Sequence, residues 1–216
     1  MAYTLEDVAR GLGNLRNSLR DDVLPILEAT ADRPEGGYFV IPREVFACID
    51  FLGALYCGYR GERDGRRRRI ATTEKAVRFL EEIFGKVDPS YARYGKLAHE
   101  MFRHGTVHVQ RPNPLKRDDG ATIEWVLYKG ERRDRIGYDG QLLTVNHLEP
   151  LLFDASVRRY ILPVSINTLY NDLIRAIDVY EEEMRSRVAQ GDVTLLNNYG
   201  ETMDALMQPE ETTLNW

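Results

Sequence analysis

Arg103 and His108 stand five positions apart in the run Met-Phe-Arg-His-Gly-Thr-Val-His-Val-Gln-Arg, residues 101–111. Three of the four histidines of the chain, His99, His104 and His108, fall within these and the neighbouring residues. An arginine is a permanent cation whose planar fork of donors matches a phosphate. A histidine can take or give a proton near neutral pH. Together they are a minimal set for cleaving RNA without a metal. Histidine would deprotonate the ribose 2′-hydroxyl or protonate the leaving oxygen, and arginine would hold the phosphate as charge builds up on it.

Helix geometry sets a condition on this chemistry. Five positions on an ideal helix rotate by about 500°, so Arg103 and His108 project roughly 140° apart. They converge only if the helix unwinds at Gly105, or if a second subunit completes the site. Plainer roles compete. His108 falls near the face made by Tyr94, Ala98 and Met101 and could be a hydrogen-bonded core histidine; Arg103 projects away from that face, and its plainer role is a solvated or ion-paired arginine. A metal is the next alternative, since His104 and His108 are four apart and Glu100 lies one turn before. Gly105 and the lack of cysteine ligands weigh against it, and no metal or cofactor is assigned.

Arg66, Arg67, Arg68 and Arg69 form a second cationic run beside a glycine loop. They are candidates for phosphate contact, with Arg111 (and Lys116 and Arg117 beyond it) as a basic rim. The plainer reading is a solvated loop balanced by Glu62, Asp64 and Glu74. Tyr56 and Tyr59 could stack bases or belong to the core.

The elements that must position these residues are read from periodicity. Leu5, Val8, Leu12, Leu15, Leu19, Val23 and Leu27 form one helical stripe from Thr4 to about Ala29. Pro25 is expected to kink or end it. Pro42 opens a second helix, apolar on most of its circumference and therefore central. A third is expected over Thr73–Phe84 with Gly85 as a left-handed cap. A fourth starts at Asp88-Pro89 and ends near Gly105 to Gln110. From 122 to 146 the texture is β, with a hairpin turn at Asp139-Gly140. A long helix returns from Ser165, and a short one follows over Leu195–Met207. The fold class is mainly α: a bundle of about five helices (4–110 and 165–190) with a small antiparallel β insertion (122–146, α+β) and a C-terminal tail (192–216), all in one domain, 1–216.

The 216 residues suffice for a full core. A net charge of −5 argues against a protein that coats nucleic acid at large, though not against a local basic groove. Cys48 and Cys57 would lie about 13 Å apart along one helix, so they are expected as reduced core thiols. No stretch approaches about 18 uncharged apolar residues, and no membrane partner is expected; a cytoplasmic protein is the default.

At residues 103–108 the sequence resembles the Arg-x4–6-His motif of the HEPN superfamily, in which the residue after the arginine is typically polar, here His104. The resemblance implies a helical bundle of four or five helices, commonly a homodimer, with the motifs of both subunits meeting at the interface. It implies Arg103 and His108 as the catalytic pair and His104 as their polar companion. Many members are metal-independent endoribonucleases of toxin, antiviral and RNA-processing systems, and others are catalytically silent binding modules. RNA, a second copy and an antitoxin or other partner protein are the partners it implies. The alternative from a different class is a helical protein-interaction or regulatory module whose histidines are structural.

Overall fold

The computed structural model describes residues 3–31, 36–59, 71–108 and 112–207, with residues 104–108 described by backbone alone. Helix α1 spans Leu5–Thr30. Thr4 caps it: its hydroxyl accepts from the Asp7 N–H at 3.2 Å, and the Asp7 carboxylate accepts from the Thr4 N–H at 3.0 Å. This reciprocal pair satisfies two of the donors that a helix start leaves without partners. Val8, Leu12, Leu19 and Val23 are buried along the expected stripe. Pro25 does not end the helix, which continues for another turn; Thr30 closes that turn by donating its hydroxyl to the Ile26 carbonyl.

Helix α2, Val40–Cys57, is the centre of the molecule. Ile41, Val45, Phe46, Ile49, Leu52 and Leu55 are essentially fully buried, and α2 packs against every other long helix. At Gly53 its backbone meets the next helix directly. A Cβ there would lie 2.7–2.8 Å from the backbone of Lys75 and Ala76. Cys48 and Cys57 are buried free thiols, and burial pushes their pKa values up to about 12 and about 11.

The third rod differs from its expected form. It runs as α3, Thr72–Phe79, loosens into a π-helical turn over Leu80–Phe84, and finishes as the single turn α4, Gly85–Val87. Gly85 is right-handed, with φ −58°, so it does not cap the helix. The π turn keeps Leu80, Ile83 and Phe84 all buried. Helix α5, Pro89–His108, starts as expected, with the Asp88 carboxylate accepting from the Ser90 N–H at 2.8 Å. Helices α6, Ile166–Ala189, and α7, Thr194–Met207, complete six helical rods among the described residues. Mainly α with some β therefore holds.

The β region is larger and differently wired than a small antiparallel insertion. Its strands are β1 Leu115–Lys116, β2 Thr122–Tyr128, β3 Arg133–Tyr138, β4 Gln141–Asn146, β5 Leu151–Asp154 and β6 Arg159–Ser165. β3 and β4 form the expected hairpin around Asp139 and Gly140, which have φ of 49° and 75°, as a tight primed turn requires. The other four form a mixed sheet in the order β1-β2-β6-β5, with β2 and β6 parallel. β6 leads directly into α6, whose first turn is capped by Ser165. Ile123, Leu162 and Val164 bury one side of this sheet in the helical core.

Candidate functional site

Asp50 of α2 lies between two residues of α5. Its carboxylate accepts from His99 Nε2 at 2.9 Å and from Arg103 Nε at 2.8 Å. His99 and Arg103 are four apart and so share a helix face. Phe46, one turn before Asp50, meets the His99 ring edge-on at 6.1 Å and stacks on Phe102 at 5.6 Å. The cluster grades from core to surface: the side chains of His99, Asp50 and Arg103 are 0%, 16% and 25% exposed. Burial pushes the Asp50 carboxyl up. The bonds from His99 and Arg103 outweigh it, and the net pKa is below the ordinary carboxylate value. His99 Nδ1 is buried without a partner.

Chemically, the arrangement is an arginine held by a charge-assisted bond at the edge of the core. The bond uses Nε, which sets the plane of the guanidinium and leaves the fork end uncommitted by Asp50. Asp50 and His99 were not among the expected site residues. The signals for them are a lone acid inside the apolar run Cys48-Ile49-Asp50-Phe51 and the spacing of four between His99 and Arg103.

Helix α5 runs without a break through Gly105 to His108. Of the two conditions for convergence, unwinding at Gly105 is not met, which leaves completion of the site by a second subunit. The side chains of His104 and His108 lie outside the described residues, as do Arg66, Arg67, Arg68, Arg69 and Arg111 in full. Glu100, the third ligand of the metal alternative, faces Lys96 at 3.9 Å. Among the described residues no group of three or more His, Cys, Asp or Glu is placed to hold a metal ion. Tyr56 is a core residue: it is buried, bonded to Glu82 and packed edge-on against Phe79 and Tyr180. Arg117 pairs with Asp119 at 3.4 Å.

A second polar cluster joins the sheet to the helices. The Ser165 N–H donates to His147 Nδ1 at 3.0 Å, so the ring proton sits on Nε2, 3.0 Å from the Tyr91 hydroxyl. Tyr91 in turn donates to Asp172 Oδ2 at 3.0 Å, and Arg132 hydrogen-bonds Asp172 and forms an ion pair with Asp88. Burial, reinforced by Arg132, lowers the His147 pKa to about 3 and keeps the ring neutral. Burial raises the Asp172 carboxyl, although Arg132 and Tyr91 counter it. Tyr91 and His147 are 1% exposed, and the bonds link α5, α6 and both ends of the β3–β4 hairpin. The cluster ties the hairpin to the helices, with Tyr91, His147 and Asp172 buried and Arg132 reaching the surface.

No helix of the described residues is long and apolar enough to cross a membrane. No family model, curated protein or solved structure matches the chain.

Proposed function

We propose that this chain is a HEPN-like, metal-independent endoribonuclease, acting as a homodimer, or a catalytically silent relative that binds RNA. The observation that carries the reading is the fixing of Arg103 by Asp50 and His99, five residues before His108 at the end of the same helix. A phosphate clamp needs a preset guanidinium plane, because orientation fixed before binding is not lost at the transition state.

The chemistry is an in-line attack of the ribose 2′-oxygen on the adjacent phosphorus. His108 takes the 2′-hydroxyl proton or returns one to the departing 5′-oxygen. Arg103 neutralises charge on the non-bridging oxygens, and His104 is their polar companion. The P–O5′ bond breaks as the P–O2′ bond forms, leaving a 2′,3′-cyclic phosphate and a 5′-hydroxyl. On this reading Arg66, Arg67, Arg68, Arg69 and Arg111 guide the RNA backbone, and the setting is a toxin or defence system with a partner protein.

The test is cleavage of single-stranded RNA by the purified protein in excess EDTA, with the product ends identified. His108→Ala should lower the rate by about 10²-fold or more while the protein stays folded. Equal trace activity in wild type and variant would remove the nuclease reading. A second reading, a helical interaction or regulatory module, is favoured by one specific observation: the Arg103 charge is already answered within the chain by Asp50. RNA binding without cleavage selects the silent relative, and neither binding nor cleavage selects the module.

A further inference from the structure

Strand β2 has an edge that its neighbour does not cover. β1 pairs only with Thr122 and Ile123. The Thr122 N–H donates to the Arg158 carbonyl at the head of β6. The backbone groups of Thr122, Glu124, Val126 and Tyr128 therefore face β6, and those of Ile123, Trp125 and Leu127 face the β1 side. By the β1 register, Asn113 would be the next residue to pair, opposite Trp125. Its N–H is directed instead to the Met101 carbonyl of α5, at 3.0 Å. Pro114, between them, turns the chain away. Among the described residues no strand covers the outward N–H and C=O groups of Trp125 and Leu127.

This edge opens into a cavity of about 490 Å³, lined by Tyr38, Phe39, Pro114 and Tyr138 together with Glu124–Leu127. Successive strand residues point to opposite faces of the sheet, so the cavity has two walls. On one, Tyr138 donates its hydroxyl to Glu124 at 3.1 Å. On the other, Trp125 meets the half-exposed Phe39 edge-on at 5.7 Å and is pinned by a 3.0 Å bond from its indole N–H to the Pro112 carbonyl. One wall is aromatic and the other carries a hydrogen-bonded carboxylate, and between them lie the outward donors and acceptors of Trp125 and Leu127, which no described strand pairs.

We propose that the open edge of β2 binds an extended peptide segment of a partner protein, which adds a strand antiparallel to β2. The backbone supplies the hydrogen bonds, and alternate apolar side chains rest on the two walls. The outward groups of Trp125 and Leu127 recur at roughly 7 Å, the two-residue repeat of a strand. Another backbone matches that repeat over both residues, whereas a single nucleobase matches it at one. The site uses neither Arg103 nor His108 and is independent of the nuclease reading.

A phage-displayed library of random dodecapeptides, panned against the full-length protein, supplies the probe, and an enriched peptide is then synthesised. On binding, amide hydrogen exchange should slow by about tenfold or more at Trp125 and Leu127. Glu124 and Val126, already bonded to β6, should change little. Leu127→Pro removes one outward donor and no β2–β6 bond, and should weaken the peptide about fivefold to tenfold. Tyr138→Ala, which strips one wall and leaves the backbone intact, should weaken it as well. The proposal is overturned if no peptide is enriched, or if protection appears elsewhere. Prior protection of both amides in the free protein would mean that another segment of this chain or a second copy fills the edge, and also overturns it. So does displacement of the peptide by a short mixed-sequence RNA that shifts the same amides.

Discussion

Arg103 shows how far a single residue can be read from its neighbours in sequence. Its role as an ion-paired arginine was legible; its partner was not. Asp50 lies 53 positions upstream, and no local rule connects a lone acid in one helix to a cation in another. The candidate clamp is thus a group already held by an ion pair to Asp50, which yields a test. Asp50→Ala leaves a wholly buried imidazole and a part-buried guanidinium without their shared acceptor, and should cost about 2 kcal/mol or more of stability. Arg103→Ala should cost less, because Asp50 keeps His99. The folded-state pKa of Asp50 is depressed. Its contribution is therefore present above the ordinary carboxylate pKa and is lost as pH falls through the lower folded value. Urea denaturation of wild type and Asp50→Ala should show their difference in stability shrinking in acid below about pH 4. A difference independent of pH would mean that the carboxylate is not what holds the cluster. If the nuclease reading is right, Asp50→Ala should also lower the turnover rate more than it alters substrate affinity, since Asp50 acts through Arg103.

At the scale of elements, what was legible is what local chemistry determines. The Thr4–Asp7 cap, the Asp88-Pro89 start, the apolar girth of α2 and the Asp139-Gly140 hairpin all carry their signals within a few residues. The parallel pairing of β2 with β6 does not, because its partners are 37 positions apart in register, Thr122 with Arg159. Pro163 hid β6 further, since proline argues against a central strand. It is tolerated because its side of β6 faces away from β2, beyond the last β5 pair, Leu151 with Ile161. The Leu148 N–H then uses the Pro163 carbonyl, at 2.8 Å. Glycines were similarly ambiguous, since each costs a helix about 1 kcal/mol against alanine and the sequence does not say which ones are needed. The α2–α3 crossing separates them. Gly13→Ala meets nothing within 4 Å and should stabilise the protein by up to about 1 kcal/mol. Gly53→Ala drives a methyl into the Lys75–Ala76 backbone; overpacking of about 1–3 kcal/mol exceeds the helical gain, so the net sign reverses. Thermal denaturation of the two variants should move the midpoint in opposite directions, and a Gly53→Ala protein more stable than wild type would contradict the packing described here.

At the scale of the whole molecule, the continuity of α5 makes the nuclease reading depend on association. On an ideal helix positions 103 and 108 project roughly 140° apart, so on the nuclease reading no single chain completes a site. A two-fold axis near the end of α5 would set the arginine of each copy beside the histidine of the other, and sedimentation at tens of micromolar, on the order of assay concentrations, should then show a dimer. A sharper consequence follows from sharing. Arg103→Ala and His108→Ala are each expected to be inactive alone, because every site in either homodimer lacks one member. Mixed at equal amounts and allowed to exchange, about half of the dimers carry one chain of each kind. In these, one of the two sites pairs an intact Arg103 with an intact His108, and the other lacks both. The mixture should therefore recover about one quarter of wild-type activity at equal total protein. If each site were built within one chain, mixing would restore nothing, since no chain in the tube carries both residues. Recovery near one quarter thus identifies a shared site, and an unrecovered mixture of folded, dimeric variants rules it out.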